Sequence, residues 1–318
     1  MGVPRTGFRR SLEAAYDFLD NELPAGLPRS NAIKWVHSGT GVDATTKGTF
    51  DAPYATLDYA IGTCVASRGD VIMVKEGHAE TITGVGGIAF DVIGVRVIGL
   101  GRGRSRPRFL MDGAATVTAA VSAANVSVEN MIFAAGAADV TKCFNVTAAG
   151  FNCIGCTFED NVAGENFLSA INGSGTTDGE ANFLRAIGNE FLSADAAALA
   201  FVLLAADVTG LVIEENIIVN EGTGLATIFT SLTGKDVKMC SVQRNQLSSK
   251  ATAGNLGYSN NTASPNNSGI IAENRVGAAD VTGAMVLGAV GGCRMFDNKV
   301  VSTDALSGFV MPAVDVDS

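Results

Sequence analysis

The chain has 318 residues, 47% hydrophobic and 17% charged, with a formal net charge of −10 at pH 7. No apolar run of 18 or more residues is free of polar interruption, which excludes a membrane-spanning helix, and the acidic balance argues against a general nucleic-acid binder, which needs a basic surface. The 38 glycines, set against 4 tyrosines and 1 tryptophan, point to tight turns and small side chains rather than aromatic ligand platforms.

Residues 11–23, SLEAAYDFLDNEL, place Leu12, Tyr16, Leu19 and Leu23 on one face of an amphipathic helix with Ser11 as its N-cap. Arg5, Arg9, Arg10 and Arg29 surround it. Two readings stay open: a helix packed on the body, or an arm that docks onto a larger assembly. From residue 36 the chain reads VHSGTGVDATTKGTFDAPYATLDYAIGTC, and apolar residues at 57, 60, 61, 64 and 65 keep the helical period. A short helix there would close the end of a solenoid, whose terminal unit otherwise exposes its core and unpaired strand edges. Two short alternating runs follow, VIMVKEG with Ile72 and Val74, and VRVIGLG with Val95 and Val97.

GRGRSRPRF, residues 101–109, crowds Arg102, Arg104, Arg106 and Arg108 into a short stretch of an acidic chain. The glycines at 99, 101 and 103 are not a dinucleotide fingerprint, because no helical pattern follows them. Either the stretch is a turn whose arginines are solvated or paired with acids of the same chain, or it is an electrostatic contact for an acidic partner.

A pattern then recurs. In LVIEENIIVN (211–220), Asn216 has apolar residues five before it (Leu211), three before it (Ile213) and two after it (Ile218). Equivalent slots fall at Met131, Cys156, Asn189, Asn245, Asn274 and Asn298, at intervals of 24 to 33 residues. With the two earlier runs this makes about nine units of variable period, carrying short alternating strands rather than helical pairs. A second apolar run precedes several slots: CFNVT, NFLSAI, AFVLLA, ATIFTSL and AMVLGAV. Two or three short strands per unit describe the coil of a parallel β-helix, and about nine coils stack to roughly 40 Å. An asparagine at a sharp bend tolerates the left-handed conformation, and stacked asparagines hydrogen-bond along the axis. Glu214 and Glu215 then occupy an outward bend and read as solvated surface rather than an acid–base pair. GYSNNTASPNNSG (257–269) reads as a loop inserted between coils.

ADAAALAFVLLAAD (194–207) is apolar at consecutive positions, so one alternate set must point outward and form a patch of the kind that marks an interface. ATIFTSL and AMVLGAV repeat the feature. Phe201, Leu203, Leu204, Ile228 and Val286 are the residues expected on this subunit-facing flank.

The order V-x-S-G-x-G-x-D, then G-T, then P-Y-A-T-L-x-x-A-I, then G-D-x-I-x-V-x-x-G, over residues 36 to about 80, resembles the start of right-handed parallel β-helix proteins of the pectate-lyase-like superfamily, of the kind found in phage virion proteins. The resemblance implies an all-β, single-stranded right-handed solenoid with an N-terminal helical segment and a capping helix. The expected division is a helical arm over residues 1–35, an opening strand and capping helix over 36–70, the β-helix over 71–302 and a C-terminal strand or tail over 303–318. It is weak on function, because the superfamily includes polysaccharide lyases, glycosidases, tailspikes and other virion proteins.

Chemistry of those enzymes is hard to find here. A glycosidase needs two carboxylates at a set separation. Glu129, Glu214, Glu215 and Glu273 come near to stacking, but Gln243 and Arg244 interrupt the row, and Glu159, Asp160 and Glu165 have no matching cluster one coil away. Calcium on Glu159 and Asp160 would lack ligands, and the lone C-x-x-C of Cys153 and Cys156 lacks the other half of a zinc site, so both read as core thiols. Nothing marks a nucleophile for His37 or His78. The expectation is no catalytic residue, no metal and no cofactor. The role expected from the resemblance is that of a homotrimeric virion structural protein attached to the major capsid or another virion protein, as a capsid decoration, head fibre or short tail component. The N-terminal residues lack the basic–apolar–small layout of a signal peptide, so export is not expected, and neither nucleic acid nor membrane is an expected partner. The alternative is a depolymerising enzyme of the same fold acting on a surface polysaccharide.

Overall fold

The computed structural model describes residues 33–175, 177–194, 197–222, 227–232, 235–250, 258–260, 267–278 and 292–302. The expected helix at 11–23, the tail at 303–318 and Val286 lie outside the described residues.

Three parallel sheets form the faces of a β-helix. The first face has ten strands, from Ile33–Val36 to Cys293–Phe296; the second has nine, from Ala79–Ile82 to Lys299–Ser302; the third has seven, from Ile88–Phe90 to Tyr258–Asn260. Seven coils carry a strand on every face, and two more show first- and second-face strands among the described residues. The expected count of about nine is thus slightly high for complete coils. One strand, Tyr258–Asn260, falls inside the stretch expected to be a loop and pairs with Thr227–Ser231.

The register explains the sequence alternation. On the first face Ile72, Val97, Val128, Cys153, Ala186, Ile213, Val242 and Ile271 follow one another in adjacent strands, and all are buried. On the second face Phe109, Phe133, Phe158 and Phe191 make the equivalent column. Rings of Phe109 and Phe133 stack at 5.5 Å, and those of Phe133 and Phe158 at 5.6 Å. Burying each such ring contributes about 1.5–3 kcal/mol. The phenylalanines therefore fill the interior rather than a ligand surface.

The slots line up at the corner between first and second faces as a buried ladder. Cys156 N–H donates to Asn189 Oδ1 at 2.9 Å, Asn189 N–H to Asn216 Oδ1 at 2.9 Å, Asn216 N–H to Asn245 Oδ1 at 3.1 Å, Asn245 N–H to Asn274 Oδ1 at 3.0 Å, and Asn274 N–H to Asn298 Oδ1 at 3.1 Å. The left-handed residue, however, is the one before the slot: Asn130, Gly155, Gly188, Glu215, Arg244, Glu273 and Asp297 all have φ between 53° and 64°. The asparagines keep ordinary backbone and use their amides instead, since only the amide satisfies the corner's buried N–H and C=O groups together.

The N-terminal end is closed by the helix Leu57–Gly62, which buries Leu57, Ala60 and Ile61. It is shorter than the apolar period suggested, and Val65 beyond it is half-exposed. Asp43 builds its approach: Oδ1 accepts the N–H of Ala55 and Thr56, and Oδ2 accepts the Thr56 hydroxyl at 2.7 Å. Thr56 in turn caps Tyr59 N–H. Asp58 then accepts Ala89 N–H at 2.8 Å, tying the helix to the exposed edge of the third face. A Cβ at Gly41 would lie 2.1 Å from Tyr54 O, so the tight turn admits only glycine. The S-G-x-G-x-D motif is thus an end closure.

Candidate partner-binding surface

The arginine stretch bulges at the same corner, between the strands Arg96–Gly99 and Arg108–Asp112. Its 3-10 turn Gly103–Ser105 is held by Arg102 N–H on Ser105 Oγ at 3.0 Å. From there the side chains reach two coils along. One terminal nitrogen of Arg104 donates to both Glu159 oxygens at 2.7 and 2.8 Å. Arg106 donates to Gly155 O at 3.1 Å and Thr157 Oγ1 at 2.7 Å, and its Nε to Gly103 O. Arg108 donates to Asn161 Oδ1 at 2.7 Å.

Between donor and acceptor lies the coil of Ile132 and Ala134. Ile132 stands between Arg108 and Thr157 in the register, and Ala134 between Leu110 and Glu159. Both point away from the phenylalanine column yet are buried, at 1% and 0% exposure. The arginine stems crossing them account for this, as long cationic side chains cover apolar surface while keeping their heads polar. Three of the four arginines are therefore a clasp across three coils. Among the described residues the Arg102 guanidinium has no hydrogen bond or ion pair.

An open groove of about 410 Å³ runs beside the clasp, lined by Arg102, Arg106, Asn130, Gly155, Gly188 and Glu190 among others. Glu190 Oε2 accepts the Thr157 hydroxyl at 2.7 Å.

Three of the four acids of the near-stacked row are held by arginines. Arg244 donates to Glu214 at 3.2 Å and Glu215 at 3.1 Å, so the residue that interrupts the acidic row is the one that neutralises it. Arg96 and Ser127 both donate to Glu129; burial alone would raise its carboxyl, but these bonds outweigh that and hold it below the usual carboxylate range. His78 Nδ1 accepts Ser38 N–H at 2.9 Å and its Nε2 meets Glu80 at 3.1 Å. The Ser38 hydroxyl is engaged elsewhere, accepting Ala79 N–H. Ser38 and His78 thus join the N-terminal turn to the first coil, without a nucleophile on the imidazole. Cys153 and Cys156 are free and buried, and among the described residues no group of three or more metal-ligating side chains assembles.

The expected flank needs correction. Phe201, Leu204 and Ile228 are interior, with exposures of 0%, 0% and 2%. Phe201 packs on Phe158 and Phe191 at 6.2 and 6.1 Å, so this strand turns consecutive residues inward where strict alternation would send one set out. Leu203 alone of the described four is half-buried at the surface. It shares an outer row with Ala89, Ala120, Asn145, Asn172 and Thr230, a row whose side chains are short and half of them polar.

A second ladder escaped the sequence reading. Asp178 Oδ1 accepts Asp207 N–H at 3.3 Å, Asp207 Oδ1 accepts Asp236 N–H at 3.0 Å, and Asn267 Oδ1 accepts Val237 N–H at 2.8 Å. Lys235 and Lys238 pair with Asp178 and Asp236. The recurring Asp-Val at 207–208 and 236–237 was the available signal.

No family model matches the chain, and neither the curated proteins nor the solved structures give a match.

Proposed function

We propose that this chain is a non-catalytic structural β-helix of a bacteriophage particle, a homotrimer attached to the major capsid or another virion protein as a decoration, head fibre or short tail component. The observation that carries the non-catalytic part is the state of the carboxylates. Glu214 and Glu215 share Arg244, Glu129 holds Arg96, and Glu159 is held by Arg104. An acid–base pair for glycoside cleavage needs two carboxyls of unlike proton affinity facing one substrate; these face arginines. The low outer row of the third face supports association, because short side chains let a second sheet approach closely. The place in a phage particle rests on the resemblance of residues 36 to about 80.

Sedimentation of the full chain is expected to give a species of three 32.6 kDa chains. A stable monomer would remove the trimer. Incubation with acidic polysaccharides is expected to release no reducing ends and no unsaturated products. Turnover that disappears in Glu190→Gln would replace this reading with a polysaccharide lyase or hydrolase acting on a surface polysaccharide.

A further inference from the structure

We infer that the groove beside the arginine clasp binds a carboxylate carried by an acidic segment of a partner protein. The clasp explains Arg104, Arg106 and Arg108 but leaves Arg102 unexplained: it is exposed, lines the groove and has no partner on the chain among the described residues. Arg106 lies beside it, with three of its five N–H donors used on Gly103 O, Gly155 O and Thr157 Oγ1. Two guanidinium groups thus offer unused donors to one open space. Their forked geometry matches a planar oxyanion better than a point charge.

The floor is shaped to admit a ligand. At the left-handed corner position, Gly155 and Gly188 have φ of 61° and 64°, and a Cβ built on either would have nothing within 4 Å. One coil on, the same position holds Glu215, and one coil before, Asn130. The glycine floor therefore spans the coils between them, about 10 Å of axis at the strand spacing. That length accommodates two successive same-side residues of an extended peptide.

The far wall selects the class of ligand. Glu190 donates nothing and keeps acceptor capacity beyond its bond to Thr157. A peptide supplies backbone N–H donors for Glu190 together with a carboxylate for Arg102 and Arg106. A phosphate would bring more negative charge against Glu190 and no such donor. No aromatic ring lines the groove, so a sugar has no stacking platform. The chain's net charge of −10 does not decide the matter, since at physiological salt charges beyond about 8 Å are largely screened. The inference does not depend on the trimer or on the virion.

The test uses the full chain with fluorescently tagged hexa-aspartate as probe, and a uronic acid oligosaccharide and inorganic phosphate as competitors. Arg102→Glu reverses the free charge. Gly188→Asn fills the floor with a residue that already adopts the same backbone at Asn130. Hexa-aspartate is expected to bind with a Kd of roughly 0.1–1 mM at physiological salt, about tenfold weaker in Arg102→Glu and about threefold weaker in Gly188→Asn. Thermal midpoints of both variants are expected to match the parent; should either fall, Arg102→Ala gives the same comparison without adding a charge. Unchanged binding in the variants overturns the inference. So does the absence of binding, or displacement of the peptide by the oligosaccharide or phosphate at lower concentration than free hexa-aspartate.

Discussion

Asn216 Oδ1 accepts both the backbone N–H and the side-chain amide of Asn189, at 2.9 and 3.0 Å, one coil away. Asn216 in turn donates its own amide to Ala186 O at 2.9 Å and to Asn245 Oδ1 at 2.8 Å. Each asparagine therefore acts on both neighbours, and with no exposure at Asn216 no water replaces it. Asn216→Ala is expected to leave two buried donors and one carbonyl unmatched, costing about 2–4 kcal/mol in urea unfolding. Asn216→Asp is expected to cost more at neutral pH, because a carboxylate cannot donate to Ala186 O or Asn245 Oδ1. An Asp variant as stable as the parent would refute the donor role.

Met239 has φ of 53° and is 71% exposed, an apolar residue held in the left-handed region with little burial to offset it. Its counterparts one and four coils earlier are Gly210 and Asn125, which adopt that backbone readily. Met239→Asn is expected to raise stability by about 0.5–1 kcal/mol, since side-chain strain there is about 1–2 kcal/mol. A lower midpoint in thermal unfolding would show that the Met239 side chain makes a contribution the strain argument omits.

Much of this architecture was legible because inward positions are local. Leu211, Ile213 and Ile218 flank Asn216 at fixed offsets, and the same offsets recover Asn189, Asn245 and Asn274 without knowledge of any contact. What was not legible depends on which residue lies one coil away. Phe201 looks like half of a two-sided strand until its ring is found against Phe158 and Phe191. Arg104 looks free until the turn carries it two coils on to Glu159, 55 residues later. Intervals of 24 to 33 residues make such offsets unpredictable, because insertions at the corners change the count without changing the stack.

Glu129 gives a pH dependence with a defined sign. Burial opposes its ionisation, but the bonds from Arg96 and Ser127 prevail and lower its pKa in the folded state. The unfolded chain then binds the proton more readily, so the contribution is complete above the unfolded value near about 4.3 and is lost as pH falls through the lower folded value. Arg96 is more than half exposed, so solvent screening limits the pair to less than about 1 kcal/mol. Glu129→Gln is expected to be less stable than the parent at pH 6, with the difference shrinking at pH 2. Equal stability at both pH values would show that Arg96 and Ser127 do not favour the charged form.

All six cysteines are free thiols, and five are buried. Cys64 is only partly buried, but burial and then the nearby Asp70 charge push its thiol up to about 12. At pH 8 the reactive thiolate is then about one part in ten thousand at Cys64. An aromatic disulfide reagent is expected to modify less than one thiol per native chain within minutes, and all six after unfolding. Rapid native reaction at Cys153 or Cys156 would contradict their place in the interior and reopen a redox role for the pair.

Asp43 decides whether the glycine-rich motif near the N-terminus is structural. Its carboxylate receives Ala55 N–H, Thr56 N–H and the Thr56 hydroxyl, and Thr56 then caps the helix that closes the coil stack. Removing it strips a charged acceptor from two backbone donors at once and loosens the cap beneath them. Charge-assisted bonds of this kind contribute about 1.5–3 kcal/mol each when desolvated and less where, as here, the acceptor is exposed. Asp43→Ala is therefore expected to lose about 1–3 kcal/mol, with amide exchange quickening first at Leu57–Gly62 and at Ala89, whose N–H is held by Asp58 of that helix. Asp43→Asn keeps one acceptor oxygen and is expected to fall between parent and Ala. The loss should propagate inward, because Leu57 and Ile61 cover the end of the core. Fast exchange confined to the turn, with the helix still protected, would show that the apolar contacts close the end without the carboxylate.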